Sequence, residues 1–124
     1  MFRTKSILAA LLIVVVSGSA ASAQQKGDWV LGNYQGSGYW FAGVVDGVRG
    51  DKVTVQYDDG DRETLNRGNV TPYSWKVGTR VQCNFNGLGD WYDGKIAALS
   101  GANISINYDD GDKEKTTTGM CRSQ

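Results

Sequence analysis

The pentapeptide Tyr-Asp-Asp-Gly-Asp stands at 57–61 and again at 108–112. Shifting the chain against itself by that spacing (108 − 57 = 51) aligns residues 27–71 with 78–122 without a gap. Identical pairs include Val30/Val81, Asn33/Asn84, Gly36/Gly87, Gly38/Gly89, Trp40/Trp91, Gly43/Gly94, Gly50/Gly101 and Glu63/Glu114. Conservative pairs add Tyr34/Phe85, Phe41/Tyr92, Val53/Ile104 and Val55/Ile106. A repeat constrains the fold more than any single motif, because what one copy forms the other must also form. Two copies of one module are expected, over 24–72 and 77–124, with a linker at 73–76.

Within a copy, residues 51–57 place Val53, Val55 and Tyr57 on one face and Lys52, Thr54 and Gln56 on the other. Alternation of period two with β-branched residues predicts a strand. Residues 28–33, where Trp29 and Leu31 face away from Val30, and the aromatic, branched stretch 39–45 read the same way. Asp58-Asp59-Gly60-Asp61 reads as a turn, since Asp-Gly accommodates the positive φ of tight hairpins. The chain would return at 62–65. Helical periodicity is absent from this region, and glycine is too frequent for a stable helix. Each copy therefore predicts a short bent sheet of four or five strands, closed into a small barrel. Gly43 and Gly94, in mid-strand, suggest a close backbone approach at a bend.

Residues 1–23 carry Arg3 and Lys5, an apolar run over 7–16 and an Ala21-Ser22-Ala23 ending. This is the pattern of a secretory signal peptide cleaved after Ala23. A membrane-spanning helix needs about 20 apolar residues, and this run is about half that. Export to a secreted or periplasmic location is expected, with no stable membrane anchor after cleavage. The remaining 101 residues (124 − 23) suit one ordinary domain or two very small ones. Loss of Arg3 and Lys5 leaves 11 basic against 13 acidic residues (13 − 2 = 11), a net −2. That balance argues against a nucleic-acid partner. In an exported chain, Cys83 and Cys121 read as a disulfide. Their counterparts are Gly32 and Val70, so both members differ together, which suggests that the first and last strands of a copy are neighbours.

The acidic turns do not fit a calcium loop. An EF-hand needs oxygen ligands at positions 1, 3 and 5 and Glu at 12. Counted from Asp58, position 3 is Gly60 and position 12 is Asn69; counted from Asp109, position 12 is Met120. No metal or cofactor is expected. Catalysis is not expected either. There is no His, no nucleophile elbow and no free thiol, and the neighbours Asp58/Asp59 and Asp109/Asp110 tend to point apart rather than flank a substrate.

Gly38-Tyr39-Trp40-Phe41-Ala42-Gly43-Val44-Val45, followed by Val53-Thr54-Val55-Gln56-Tyr57-Asp58-Asp59-Gly60, resembles a Tudor-type domain. The second copy is similar, and agenet modules of the same superfamily share the pattern. The resemblance covers nearly the whole chain after residue 23. It implies an all-β architecture of two tandem five-stranded bent barrels of SH3-like type. It further implies aromatic cages at the barrel mouths for methylated lysine or arginine. Carried over by position, the first cage comprises Tyr34, Phe41 and Tyr57 with Asp59 as acidic wall. The second comprises Phe85, Tyr92, Tyr108 and Asp110. Family members commonly place an aromatic after the Asp-Gly, where this chain has Asp61 and Asp112, so each cage is three-sided.

Other readings of the same residues stay open at this point. Tyr57 and Tyr108 suit a core position as well as a cage wall, and so do Phe41 and Tyr92. Trp40 and Trp91, on the opposite parity, are either covers for glycine-rich loops or exposed stacking platforms. Glu63 and Glu114 read as cross-strand partners of basic residues. The expected partner is a protein or peptide, cationic if the cages operate. A carbohydrate or cell-envelope polymer stacking on Trp40, Trp91 and Tyr39 is the second reading, and a structural adaptor the third.

Overall fold

The computed structural model describes residues 24–124. The signal-peptide reading falls on 1–23, outside the described residues. The first copy forms β1 (Trp29–Asn33), β2 (Trp40–Arg49), β3 (Lys52–Tyr57), β4 (Arg62–Asn66) and β5 (Val70–Pro72). The second forms β6 (Arg80–Asn84), β7 (Trp91–Ser100), β8 (Asn103–Tyr108), β9 (Lys113–Thr117) and β10 (Cys121–Ser123). The described residues hold strands and short 3-10 turns, the all-β content that the alternation predicts.

Each long second strand bends at a bulge, between Val45 and Gly47 in β2 and between Ile96 and Ala98 in β7. The bend lets one strand serve two neighbours. Residues 40–44 of β2 pair with β1, and residues 43–49 pair with β3. Gly43 sits where the two pairings overlap. A Cβ there would lie 2.6 Å from the Gln56 carbonyl oxygen and 2.8 Å from Val55 Cγ1. Gly94 meets the same crowding, 2.7 Å from the Asn107 oxygen. The repeated mid-strand glycine is thus a steric requirement of the bend.

First and last strands of each copy are paired, as the joint replacement of Gly32 and Val70 by cysteines suggests. Gly32 faces Val70 across β1 and β5, and Cys83 faces Cys121 across β6 and β10. The Cys83–Cys121 disulfide forms at that register.

The two copies are not beads on a string. β10 pairs with β6 on one side and with β2 on the other, through Arg122↔Phe41 and Ser123↔Trp40. All ten strands therefore belong to one sheet. The seam also breaks the period-two pattern of β1. Val30 enters the core of the first copy with Val45, Val53, Val55, Leu65 and Val70. Leu31, on the opposite face, joins Ala42 and Trp75 in the core of the second, against Val81, Ile96, Ile104 and Ile106. Each such apolar side chain removed from water contributes roughly 1.5–3 kcal/mol. A strand with a core on either side reads as a continuous apolar run, which is why Val30-Leu31 does not alternate. Trp75, in the segment between the copies, is 5% exposed, and its indole N–H donates to Ser123 Oγ at 3.1 Å.

Candidate functional site

The mouth of each copy is built by three backbone devices that recur in register. In the first, β1 ends in a 3-10 turn (Tyr34–Gly36) in which Gln35 has φ 51°. The counterpart, Asn86, has φ 54°. Left-handed backbone is costly for residues other than glycine, though asparagine tolerates it better. Here a carboxylate holds it: the Gln35 amide donates to Glu63 Oε2 and the Asn86 amide to Glu114 Oε2, both at 2.9 Å. In the second device, Asn33 Oδ1 accepts from the Gly38 amide and Asn84 Oδ1 from the Gly89 amide, closing the loop into β2 or β7.

The third device is the pentapeptide. Tyr57 N–H donates to the Asp61 carbonyl, Gly60 N–H donates to the Tyr57 carbonyl, and Gly60 has φ 100°. This is a hairpin turn with a left-handed glycine. Asp59 Oδ1 accepts from the Asp61 amide at 2.9 Å, and Asp110 Oδ1 from the Asp112 amide at the same distance. The second Asp of each pentapeptide therefore shapes its own turn.

These devices bring the expected aromatics together. In the first copy Tyr34, Phe41 and Tyr57 meet edge to face, with centroids 5.6–6.3 Å apart. In the second Phe85, Tyr92 and Tyr108 do the same, at 5.6–6.4 Å. Mutual T-shaped packing contributes about 0.5–1.5 kcal/mol per pair and fixes the rings before any ligand arrives.

Tyr57 and Tyr108 are 3% and 5% exposed, so the core reading of these two holds. Each still contributes a ring edge to the aromatic trio. Their hydroxyls donate to Glu63 Oε1 at 2.8 Å and Glu114 Oε1 at 2.6 Å. Among the described residues Glu63 and Glu114 thus pair with no basic residue. Each joins the buried tyrosine to the turn that carries Tyr34 or Phe85. A glutamate six residues after the tyrosine in both copies was the available signal. Burial, together with the adjacent carboxylate, pushes both phenols far above the ordinary 10.0. At the rim, the Asp61 carboxylate raises Tyr34, with smaller contributions from burial, Glu63 and Asp59.

The copies differ in access. A cavity of about 150 Å³ opens among Phe85, Tyr92, Tyr108, Asp110 and Asp112. Tyr92 is 46% exposed. In the first copy Phe41 is half-buried, with the Trp91 ring edge-on to it at 6.0 Å. Trp40 and Trp91 are likewise half-buried along the seam and are not free platforms. Trp91 is already stacked: the Arg122 guanidinium lies 4.2 Å from its centroid and 3.8 Å from that of Tyr39. Arg122 Nε donates to Gln82 Oε1 at 3.0 Å. This clamp ties the last strand to both copies. Among the described residues no group of three or more His, Cys, Asp and Glu is placed to hold a metal ion.

Residues 30–74 match the family model of the Agenet domain. Two solved structures are similar to the chain. One is the AGD34 segment of AGDP1 from Arabidopsis thaliana, 20% identical, covering 86% of each chain with a TM-score of 0.43. The other is tandem Agenet domain 3-4 of ADCP1, 19% identical, covering 90% of this chain and 89% of that one with a TM-score of 0.41. No curated protein matches the chain. The matched residues lie within the first copy, which is thus similar to an Agenet domain, and the second copy repeats its strand order and its Tyr-Asp-Asp-Gly-Asp turn.

Proposed function

We propose that this is a non-enzymatic, exported binding protein that takes a cationic group of a peptide or protein ligand, methylated lysine or arginine being the chemistry that suits it. The observation that carries the reading is the cavity in the second copy, with three aromatic walls and two carboxylates. A cation against aromatic faces gains roughly 0.5–2 kcal/mol, more as it is desolvated. A methylated ammonium has few or no N–H groups to leave unpaired there, and Asp110 and Asp112 add attraction at the rim. Engineered apolar cavities of similar size take up benzene, so a trimethylammonium head is a reasonable guest. The second copy is the principal site on this reading, because Trp91 closes on Phe41 in the first. Export is supported by the residue pattern of 1–23 and by the disulfide, which persists in oxidising compartments.

The test is an amide NMR titration of the disulfide-bonded chain with a trimethyllysine peptide and its unmodified control. Methyl-dependent shifts at Phe85, Tyr92 and Tyr108, abolished in Tyr92→Ala, are expected. Equal shifts with both peptides at these residues would refute the preference for a methylated cation, and no shift there with either would refute the cationic reading and favour a ligand engaged elsewhere on the sheet.

A further inference from the structure

The first Asp of each pentapeptide does a different job in each copy. In the second copy Arg80, which opens β6, holds Asp109 in a two-pronged ion pair: Nη1 to Oδ1 at 2.8 Å and Nη2 to Oδ2 at 2.6 Å. In the first copy the position equivalent to Arg80 is Trp29, which opens β1. Asp58, equivalent to Asp109, makes no ion pair among the described residues. Among the described residues its carboxylate accepts the Thr118 hydroxyl alone, which reaches across from the other copy and is itself buried.

Around Asp58 the seam encloses a cavity of about 240 Å³ with mostly apolar walls, among them Trp29, Tyr73, Ala42 and Ala102. Trp29 is 53% exposed and stands edge-on to Tyr73 at 5.6 Å. Asp58 is held firmly at its edge. Its amide donates to the Ala42 carbonyl at 2.9 Å. Gly119 lies so close that a Cβ there would stand 2.8 Å from the Asp58 carbonyl carbon.

We infer that this cleft between the copies is a second binding site, for a guanidinium side chain supplied by a peptide partner. The chain itself provides the comparison. Arg80 shows that the turn's first carboxylate accepts a guanidinium in fork geometry, and in the first copy that arginine is replaced by an aromatic wall. A carboxylate has lone pairs enough for Thr118 and a guanidinium together. Trp and Tyr faces suit the flat, weakly hydrated guanidinium better than a compact ammonium. The apolar walls would cover the methylene stem. The site shares no residue with the cage of the second copy, so the two stand or fall separately.

The probe is N-acetyl-arginine amide, titrated into the labelled, disulfide-bonded full chain, with N-acetyl-citrulline amide as the neutral isostere. Shifts at Gly43, Val44, Ala102 and the Trp29 indole N–H are expected with arginine and not with citrulline. Two variants follow. Trp29→Arg installs the ion pair of the second copy and fills the site from within. Asp58→Asn removes the charge while keeping an acceptor for Thr118. Each should weaken binding by about tenfold or more, the scale of one charge-assisted hydrogen bond, while dispersed amide spectra show the sheet intact. Unchanged affinity in either folded variant, equal binding of citrulline, or shifts confined to Phe85, Tyr92 and Tyr108 would overturn the inference.

Discussion

Removing the disulfide, by Cys83→Ala with Cys121→Ala, is the perturbation whose size follows most directly from the structure. The bridge joins residues 38 apart. In the chain-entropy model the loss is about 2.1 + 1.5R ln n cal/mol/K, which for this loop is about 4 kcal/mol at 25 °C. A domain of this size is commonly stable by about 5–15 kcal/mol, so the loss is a large fraction of the whole. The location sharpens the expectation. Cys121 opens β10, and β10 also lies against β2 and carries Arg122 into its clamp. Releasing it should loosen the second copy and the seam together, leaving β1–β5 as the more protected part. The assay is urea unfolding followed by tryptophan fluorescence, with amide exchange to locate the loss. A cost below about 1 kcal/mol, with β10 still protected, would refute the reasoning. It would mean that pairing and the Arg122 clamp hold the strand without the covalent link.

Two further outcomes follow from single features of the sheet. Because Tyr57 and Tyr108 have raised pKa values in the folded state, the stability they contribute is complete below pH 10 and is lost as pH rises beyond it. Unfolding free energy measured by denaturant titration should fall by up to about 1.4 kcal/mol per pH unit for each of them, and Tyr108→Phe should flatten the slope. Gly94→Ala drives a Cβ into the Asn107 carbonyl and Ile106, so thermal denaturation should show a cost of about 1–3 kcal/mol. Gly47→Ala in the same fold meets nothing within 4 Å and should stay within about 0.5 kcal/mol.

Much of this protein was legible in its residues because the signals are local. Alternation of Val53, Val55 and Tyr57 sets which face of β3 is buried, and Asp-Gly sets the hairpin. The joint change of Gly32 and Val70 to Cys83 and Cys121 betrayed a strand pairing, since covalent geometry requires both partners to change. The aromatic trios were legible for the same reason: each member lies at a fixed register on its own strand. The roles of Glu63 and Glu114 were misread because opposite charge is the commoner cross-strand partner, whereas here the chosen donor is a buried phenol.

Only the tertiary structure decided how the copies meet. β10 adds to β2 through backbone N–H and C=O groups, which every residue carries, so the pairing leaves no mark in side-chain pattern. The docking of the copies determines that Leu31 and Ala42 are buried from the far side, that Trp91 stacks on Arg122 instead of standing free, and that one mouth is more open than the other. It also gives the Trp29/Arg80 difference its meaning. As a sequence difference it is one substitution among many in an imperfect repeat. In three dimensions it leaves one carboxylate ion-paired and the other facing a cleft, because pairing depends on what lies opposite, and only the folded chain fixes that.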